Sequence, residues 1–344
     1  MQRADPVFCA SSYWRQYQGP SLEFIAQHGI QGFRSGKFPQ WSSIFAVQNP
    51  YVNRAEVVIA KLTSQNPRPV DSEVTQLLGH LVSLADRQYI QATWLCLHYC
   101  KQFDTAGIMN RISDAGIGEP SLSIVDAGRT YTLPFLRYCA YYLHLHARLA
   151  FYDTMNVLEV GGGYGGLCEV FRKASPNIRY VNVDLPVQTY LAQQYLSAVF
   201  PERVIPYSVT RAMQSIELSS LPAGSILTLC PWQLQKVRAE FEILLNTASF
   251  QEMSREQVKL YADFTSSFRT KYAFIVAIME GIRSQPSREG YPYEPNPVKR
   301  EHYLQFFNDY TVLEEGWPDF LPATSEANRI CGSLLLRHRT LTPL

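Results

Sequence analysis

Apolar residues recur at three- and four-residue spacing through the first part of the chain, then gather into short, bounded runs beyond residue 155. The first period predicts helices and the second predicts strands. "DSEVTQLLGHLVSLADRQYIQATWLCLHYCKQF" (71–103) reads as one long helix, with Asp71 or Ser72 placed to cap it. "NPRP" (66–69) breaks whatever precedes it, and 107–123 is punctuated as a loop by Gly and Pro. A second long helix is predicted over 132–152, with Pro134 in its first turn. Strand candidates follow at 156–160, 178–185, 203–209, 241–250 (running into a loop), 271–279, 310–317 and 331–339. Between them, helices are predicted at 167–175, 187–200 and 254–269, the last capped by Ser254. Segment 224–234 is either an added strand or part of a wall over a site, and the Pro-rich, aromatic 283–303 reads as a long loop beside that site. The expected fold is therefore α/β: a doubly wound, mostly parallel, seven-stranded sheet in 151–344, behind a mainly helical domain in 1–150.

Composition narrows the classes of function. The 344 residues are 46% hydrophobic, enough for a substantial core. A net charge of +1 gives no electrostatic reason to expect nucleic acid or an anionic membrane as partner. Seven dispersed cysteines, none in a Cys-x-x-Cys pair, fit packed thiols in a reducing cytoplasm better than a metal site. No metal is expected. The first residues lack a basic region followed by an apolar stretch, so no signal peptide is expected, and no apolar run reaches membrane-spanning length. Tyr reaches 21 residues; such aromatics build cores, and they also line pockets for flat or sugar-like ligands.

"NVLEVGGGYGG" (156–166) concentrates the candidate chemistry. It follows a strand and opens a helix, as a nucleotide-binding loop must. A P-loop needs Lys and Ser or Thr after the last glycine; Leu167 and Cys168 stand there, so that reading fails. Gly161, Gly163 and Gly166 satisfy G-x-G-x-x-G and keep an NAD-dependent oxidoreductase open. A second register, Glu159-x-Gly161-x-Gly163-x-Gly165, places a carboxylate two residues before the first glycine. A carboxylate there would meet like charge at a pyrophosphate, but it can order the amine of S-adenosylmethionine. Asp184, at the end of the next strand, is placed to accept ribose hydroxyls, or to cap the following helix.

"VLEVGGGYGGL" followed by "VNVDLP" resembles the class I S-adenosylmethionine-dependent methyltransferases, whose domain is Rossmann-like. "FEILLNTASFQEMS" (241–254) is similar to the fourth-strand region of a bacterial family of sugar O-methyltransferases, through Asn246, Ser249, Phe250, Glu252 and Met253. The resemblance covers roughly residues 130–280 and implies methyl transfer to a hydroxyl of a sugar or glycosylated small molecule, in natural product biosynthesis. The expected cofactor contacts are Glu159, Gly161, Gly162, Gly163, Tyr164, Gly165, Asp184, Leu185 and Asn246; Ser249, Phe250 and Tyr293 are expected at the acceptor. A sugar hydroxyl is barely acidic, so a general base is needed. Glu252 and His144 are the expected catalytic residues, with His146 and His302 as further histidines of the right type. Metal-assisted ionisation is the rival, for which Asp309, Glu314, Glu315 and Asp319 are as well explained as solvated loop charges. Methylation of a non-sugar metabolite and a non-catalytic binding module also stay open. The expected partner is a small-molecule acceptor; a homodimer is left open.

Overall fold

The computed structural model describes residues 6–35, 72–149, 151, 154–282, 293–316 and 331–341. Packing divides the chain into two compact units: residues 24–143, and residues 1–23 together with 144–344. The first helix, α1, spans Ser12–His28, and α2 spans Ser72–Phe103 as the apolar period predicts; the residue before Ser72 lies outside the described residues. A hairpin follows that the hydrophobic pattern did not reveal. Strands β1 (Ile124–Asp126) and β2 (Arg129–Tyr131) pair antiparallel across Ala127 and Gly128, both with positive φ (47° and 75°). A two-residue turn with both central residues left-handed matches the twist of a hairpin. Helix α3 covers Leu133–Arg148.

The alternation expected beyond residue 155 is present. It runs β3 (Asn156–Val160), α4 (Gly166–Ala174), β4 (Arg179–Val183), α5 (Pro186–Val199), β5 (Val204–Ile205), α6 (Tyr207–Ala212), β6 (Ile216–Glu217), β7 (Ile226–Leu229) and β8 (Val237–Arg238). It continues with β9 (Ile243–Thr247), α7 (Arg255–Ser267), β10 (Tyr272–Ile278), α8 (Arg300–Phe306), β11 (Tyr310–Gly316) and β12 (Cys331–His338). The main sheet has the order β11-β12-β10-β9-β3-β4-β7-β5. From β10 to β5 all neighbours are parallel; β12 runs antiparallel to both β10 and β11. Such a sheet is doubly wound and Rossmann-like. Strands β7 and β9 are buried at every residue, as required when both faces are covered.

Three expectations change in detail. The sheet has eight strands rather than seven, because 226–229 is a strand inserted between β4 and the short β5. The strand expected over 203–209 is only two residues long, since Pro206 ends it and caps α6. The loop expected over 283–303 ends in helix α8; residues 283–292 lie outside the described residues. Ser254 caps α7 as expected: its hydroxyl accepts from the Gln257 amide, and the Gln257 side chain accepts from the Ser254 amide. No helix among the described residues is long and apolar enough to cross a membrane.

Candidate active site

The direction of winding locates the site. From β3 the chain builds outward through β4 to β7, then returns to β9 and builds the other way through β10. The crevice lies where that order reverses, between the carboxyl ends of β3 and β9. Two loops meet there: 161–165 after β3, and 248–252 after β9.

The glycines serve the junction between those loops. Gly161 has φ +75°, and a Cβ there would lie 1.9 Å from Ser249 Oγ. At Gly162 a Cβ would fall 2.2 Å from Asn182 Nδ2 and 2.6 Å from Glu159 Oε2. The loop is therefore pressed against its own protein. Gly165, left-handed, is the N-cap of α4. Tyr164, expected at the cofactor, is 3% exposed, its ring edge-on to Tyr195 at 4.9 Å; it is a core residue.

Asn246 braces the junction. It is fully buried; its Nδ2 donates to Val160 O (2.8 Å) and Ser249 Oγ (2.6 Å), and its Oδ1 accepts from the Phe250 amide (3.0 Å). Its side-chain amide is thus engaged at the junction between the two loops. Ser249 also donates to Val160 O at 3.1 Å. Phe250, expected at the acceptor, is fully buried instead, stacked with Tyr261 and Tyr303. Tyr293 is half-buried, at the edge of the described residues.

Three carboxylates gather at this end of the sheet. Glu159 on β3 is buried, and its Oε2 accepts from Tyr180 OH (2.9 Å) and Asn182 Nδ2 (3.4 Å) on β4. Asn182 is its direct neighbour across the strands and Tyr180 lies on the same face two residues earlier. Burial pushes the Glu159 carboxyl up to about 8, with the charge of Asp184 adding to the rise and the two donors opposing it. Asp184 accepts from the Gly163 amide (2.7 Å) and the Leu185 amide (2.6 Å), so one side chain ties the glycine loop to the end of β4. Burial raises Asp184 to about 6 against those two bonds. The N-cap of α5 is Leu185, so Asp184 does not cap that helix.

Glu252, in a 3-10 turn after β9, is 5% exposed. Its Oε2 accepts from the indole Nε1 of Trp14 at 2.7 Å, and burial pushes it up to about 8. Among the described residues no ion pair reaches Glu159, Asp184 or Glu252.

His144 is not brought to these loops. Near the end of α3, its ring packs 5.8 Å from Phe274 in β10, and its Nε2 lies 3.5 Å from Glu314 on the edge strand β11. The contacts of His144 are thus with β10 and the edge strand β11. His302 is taken by the Lys299 amide at the start of α8. The acids considered for a metal are engaged elsewhere. Glu314 pairs with Arg148, Glu315 with Arg300, and Asp309 accepts from Ser266; Asp319 lies outside the described residues.

Trp14, Tyr180 and Asn182 were missed by sequence reasoning. The last two could have been found, because they alternate on the strand facing Glu159. Nothing local marks Trp14.

No protein-family model matches the chain, and no curated protein matches it. Among solved structures it is similar to the mitomycin 7-O-methyltransferase MmcR, at 11% identity over 59% of this chain and 56% of that one, with a TM-score of 0.36. It is similar to a fibrillarin/Nop5p complex, at 14% identity over 62% and 87%, TM-score 0.39. The magnesium protoporphyrin IX methyltransferase ChlM of Synechocystis PCC 6803 is similar at 12% identity over 59% and 83%, TM-score 0.40. The match spans little more than half the length of the mitomycin enzyme.

Proposed function

We propose that the chain is an S-adenosylmethionine-dependent O-methyltransferase acting on a hydroxyl of a sugar or glycosylated small molecule. The observation that carries this reading is the set of Glu159, Asp184 and Glu252: three carboxylates around a glycine loop at the switch point, none met by a protein cation among the described residues. Burial holds all three above their ordinary range, and the charge of Asp184 adds to the rise at Glu159 and Glu252, an unfavourable arrangement that a cationic ligand relieves. A pyrophosphate would worsen it, which disfavours the dinucleotide reading of the same glycines. S-adenosylmethionine brings an ammonium and a sulfonium, and when bound it supplies a methyl carbon activated by the positive sulfur.

On this reading Glu159 orders the amine end, Asp184 the ribose, and the amides of 161–165 line the approach. Glu252 takes the proton from the acceptor hydroxyl as that oxygen is methylated. A carboxyl raised by burial is the stronger base once ionised, and a cation bound beside it favours ionisation. The sugar rests on the "NTASFQEM" resemblance, and a cytoplasmic setting is supported by the seven dispersed cysteines, none in a Cys-x-x-Cys pair. Calorimetry with S-adenosylhomocysteine and with NADH tests the cofactor: binding of NADH alone would sink the reading. Mass spectrometry of an acceptor panel, incubated with methyl-labelled S-adenosylmethionine, should find a sugar-containing product heavier by one methylene.

A further inference from the structure

Residues 6–23 belong to the same compact unit as the sheet, although 120 residues of the other unit follow them in the chain. They are tied to the crevice at three points. Gln257, in the first turn of α7, donates its Nε2 to Val7 O (3.0 Å) and Cys9 O (2.9 Å). Trp14 donates to Glu252 in the loop after β9. Gln18 donates to Gln188 Oε1 at 3.3 Å, and Gln188 is a buried residue in the first turn of α5, just beyond Asp184. Trp14 and Gln18 are one helical turn apart, on one face of α1. That single turn bridges the loop after β9 and the first turn of the helix after β4, and those two strands are the neighbours of β3. The glycine loop lies between the anchor points in strand order.

Resting on the proposed role of Glu252 as base, we propose that Trp14 is its positioning residue: the indole N–H fixes Oε2, leaves Oε1 for the acceptor hydroxyl, and is carried to the site by residues 6–23 as a strap. An indole suits this role because it donates and cannot accept. It steadies the carboxylate without competing for the proton that the carboxylate must take. The charge acting on Glu252 is that of Asp184, beyond the end of β4 and of the same sign, and the indole bond opposes both burial and that repulsion. Gln257 has a double role: its carbonyl oxygen closes the capping box of α7 while its NH2 holds the start of the strap.

The first measurement reads the carboxyl itself and needs no acceptor; the second reads turnover. Protein labelled with 13C at glutamate Cδ should show steps near pH 8 for Glu159 and Glu252, and Glu252→Gln assigns the second by deleting it. Trp14→Phe keeps the ring and removes the donor. It should move the Glu252 step up by about one pH unit or more, leave S-adenosylhomocysteine affinity within about twofold, and lower methyl transfer to the best acceptor of the panel about tenfold. Gln257→Glu keeps the cap acceptor but repels Val7 O and Cys9 O; it should move the same step up by less. If both variants leave the step in place, Trp14 does not position Glu252, and a loss of turnover would then be structural. Undiminished turnover in Glu252→Gln overturns the base and the positioning role together. Failure of the wild-type protein to bind S-adenosylhomocysteine overturns the methyltransferase reading, whatever the Glu252 step does.

Discussion

A Cβ placed 1.9 Å from a hydroxyl oxygen cannot be absorbed by a small adjustment, and at Gly161 the backbone is left-handed as well. Gly161→Ala should therefore cost about 1–2 kcal/mol in backbone conformation, with the overlap added to it. It should weaken S-adenosylhomocysteine binding at least tenfold in calorimetry. The obstruction is Ser249 Oγ and Cβ, so Ser249→Gly in the same chain should recover part of the loss, though it gives up the bond to Val160 O. The two changes form a cycle with a favourable coupling; strict additivity would mean the loops do not meet as described. At Glu252, Gln is close in shape but takes no proton. Glu252→Gln should lower turnover about 10²–10⁴-fold, the usual worth of a general base, while cofactor affinity changes little. Unchanged turnover in the mass-spectrometric assay would remove Glu252 from that role.

At the scale of elements, the helical unit carries a polar core of its own. Arg34 reaches Asp114 through both terminal nitrogens (2.8 and 2.5 Å), with Thr132 bonded to each partner. Burial works to raise Asp114, yet Arg34 and Thr132 hold it below its ordinary value. Asp114→Ala would leave a guanidinium buried without its counter-charge. It should cost about 3–5 kcal/mol in denaturant unfolding of this unit; a loss below 1 kcal/mol would show that the pair is solvated. None of this is legible in the sequence, because partners 80 residues apart share no local pattern. The same limit hides Trp14, 238 residues from Glu252. What could be read was local: the strand–glycine–helix passage, Glu159 two residues ahead of Gly161, Asp184 closing the next strand, and Ser254 at the head of α7. Where local pattern misled, neighbours decided. Phe250 and Ser249 are adjacent, but only the fold shows that Phe250 turns into the core beside Tyr261 and Tyr303 while Ser249 stays at the junction. Tyr164 likewise lies in the glycine loop by sequence and in the core by packing.

For the whole molecule, the buried acids give folding stability a distinctive dependence on pH. Glu159 and Glu252 titrate near 8 in the fold, against an ordinary value of 4.5. Between those values the folded chain binds more protons than the unfolded one, so stability falls as pH rises. Asp114 has the opposite sign: its depressed value gives stability that is present above its ordinary pKa and lost in more acid solution. The ligand-free protein should therefore be most stable near about pH 5 and lose stability steadily toward pH 8. Each unit of raised titration corresponds to about 1.4 kcal/mol, part of which relaxation of the loops takes back. A ligand that brings an ammonium to Glu159 favours the ionised form, so it should bind more tightly as pH rises through that window and stabilise the fold most at its alkaline end. Thermal unfolding at pH 5 and pH 8, with and without S-adenosylhomocysteine, measures both halves. The expected result is a melting temperature several degrees lower at pH 8 without ligand, and a larger ligand-induced rise there than at pH 5. A ligand-free melting temperature that climbs from pH 5 to pH 8 would mean that the carboxylates are already compensated, leaving the crevice no electrostatic reason to prefer a cationic ligand.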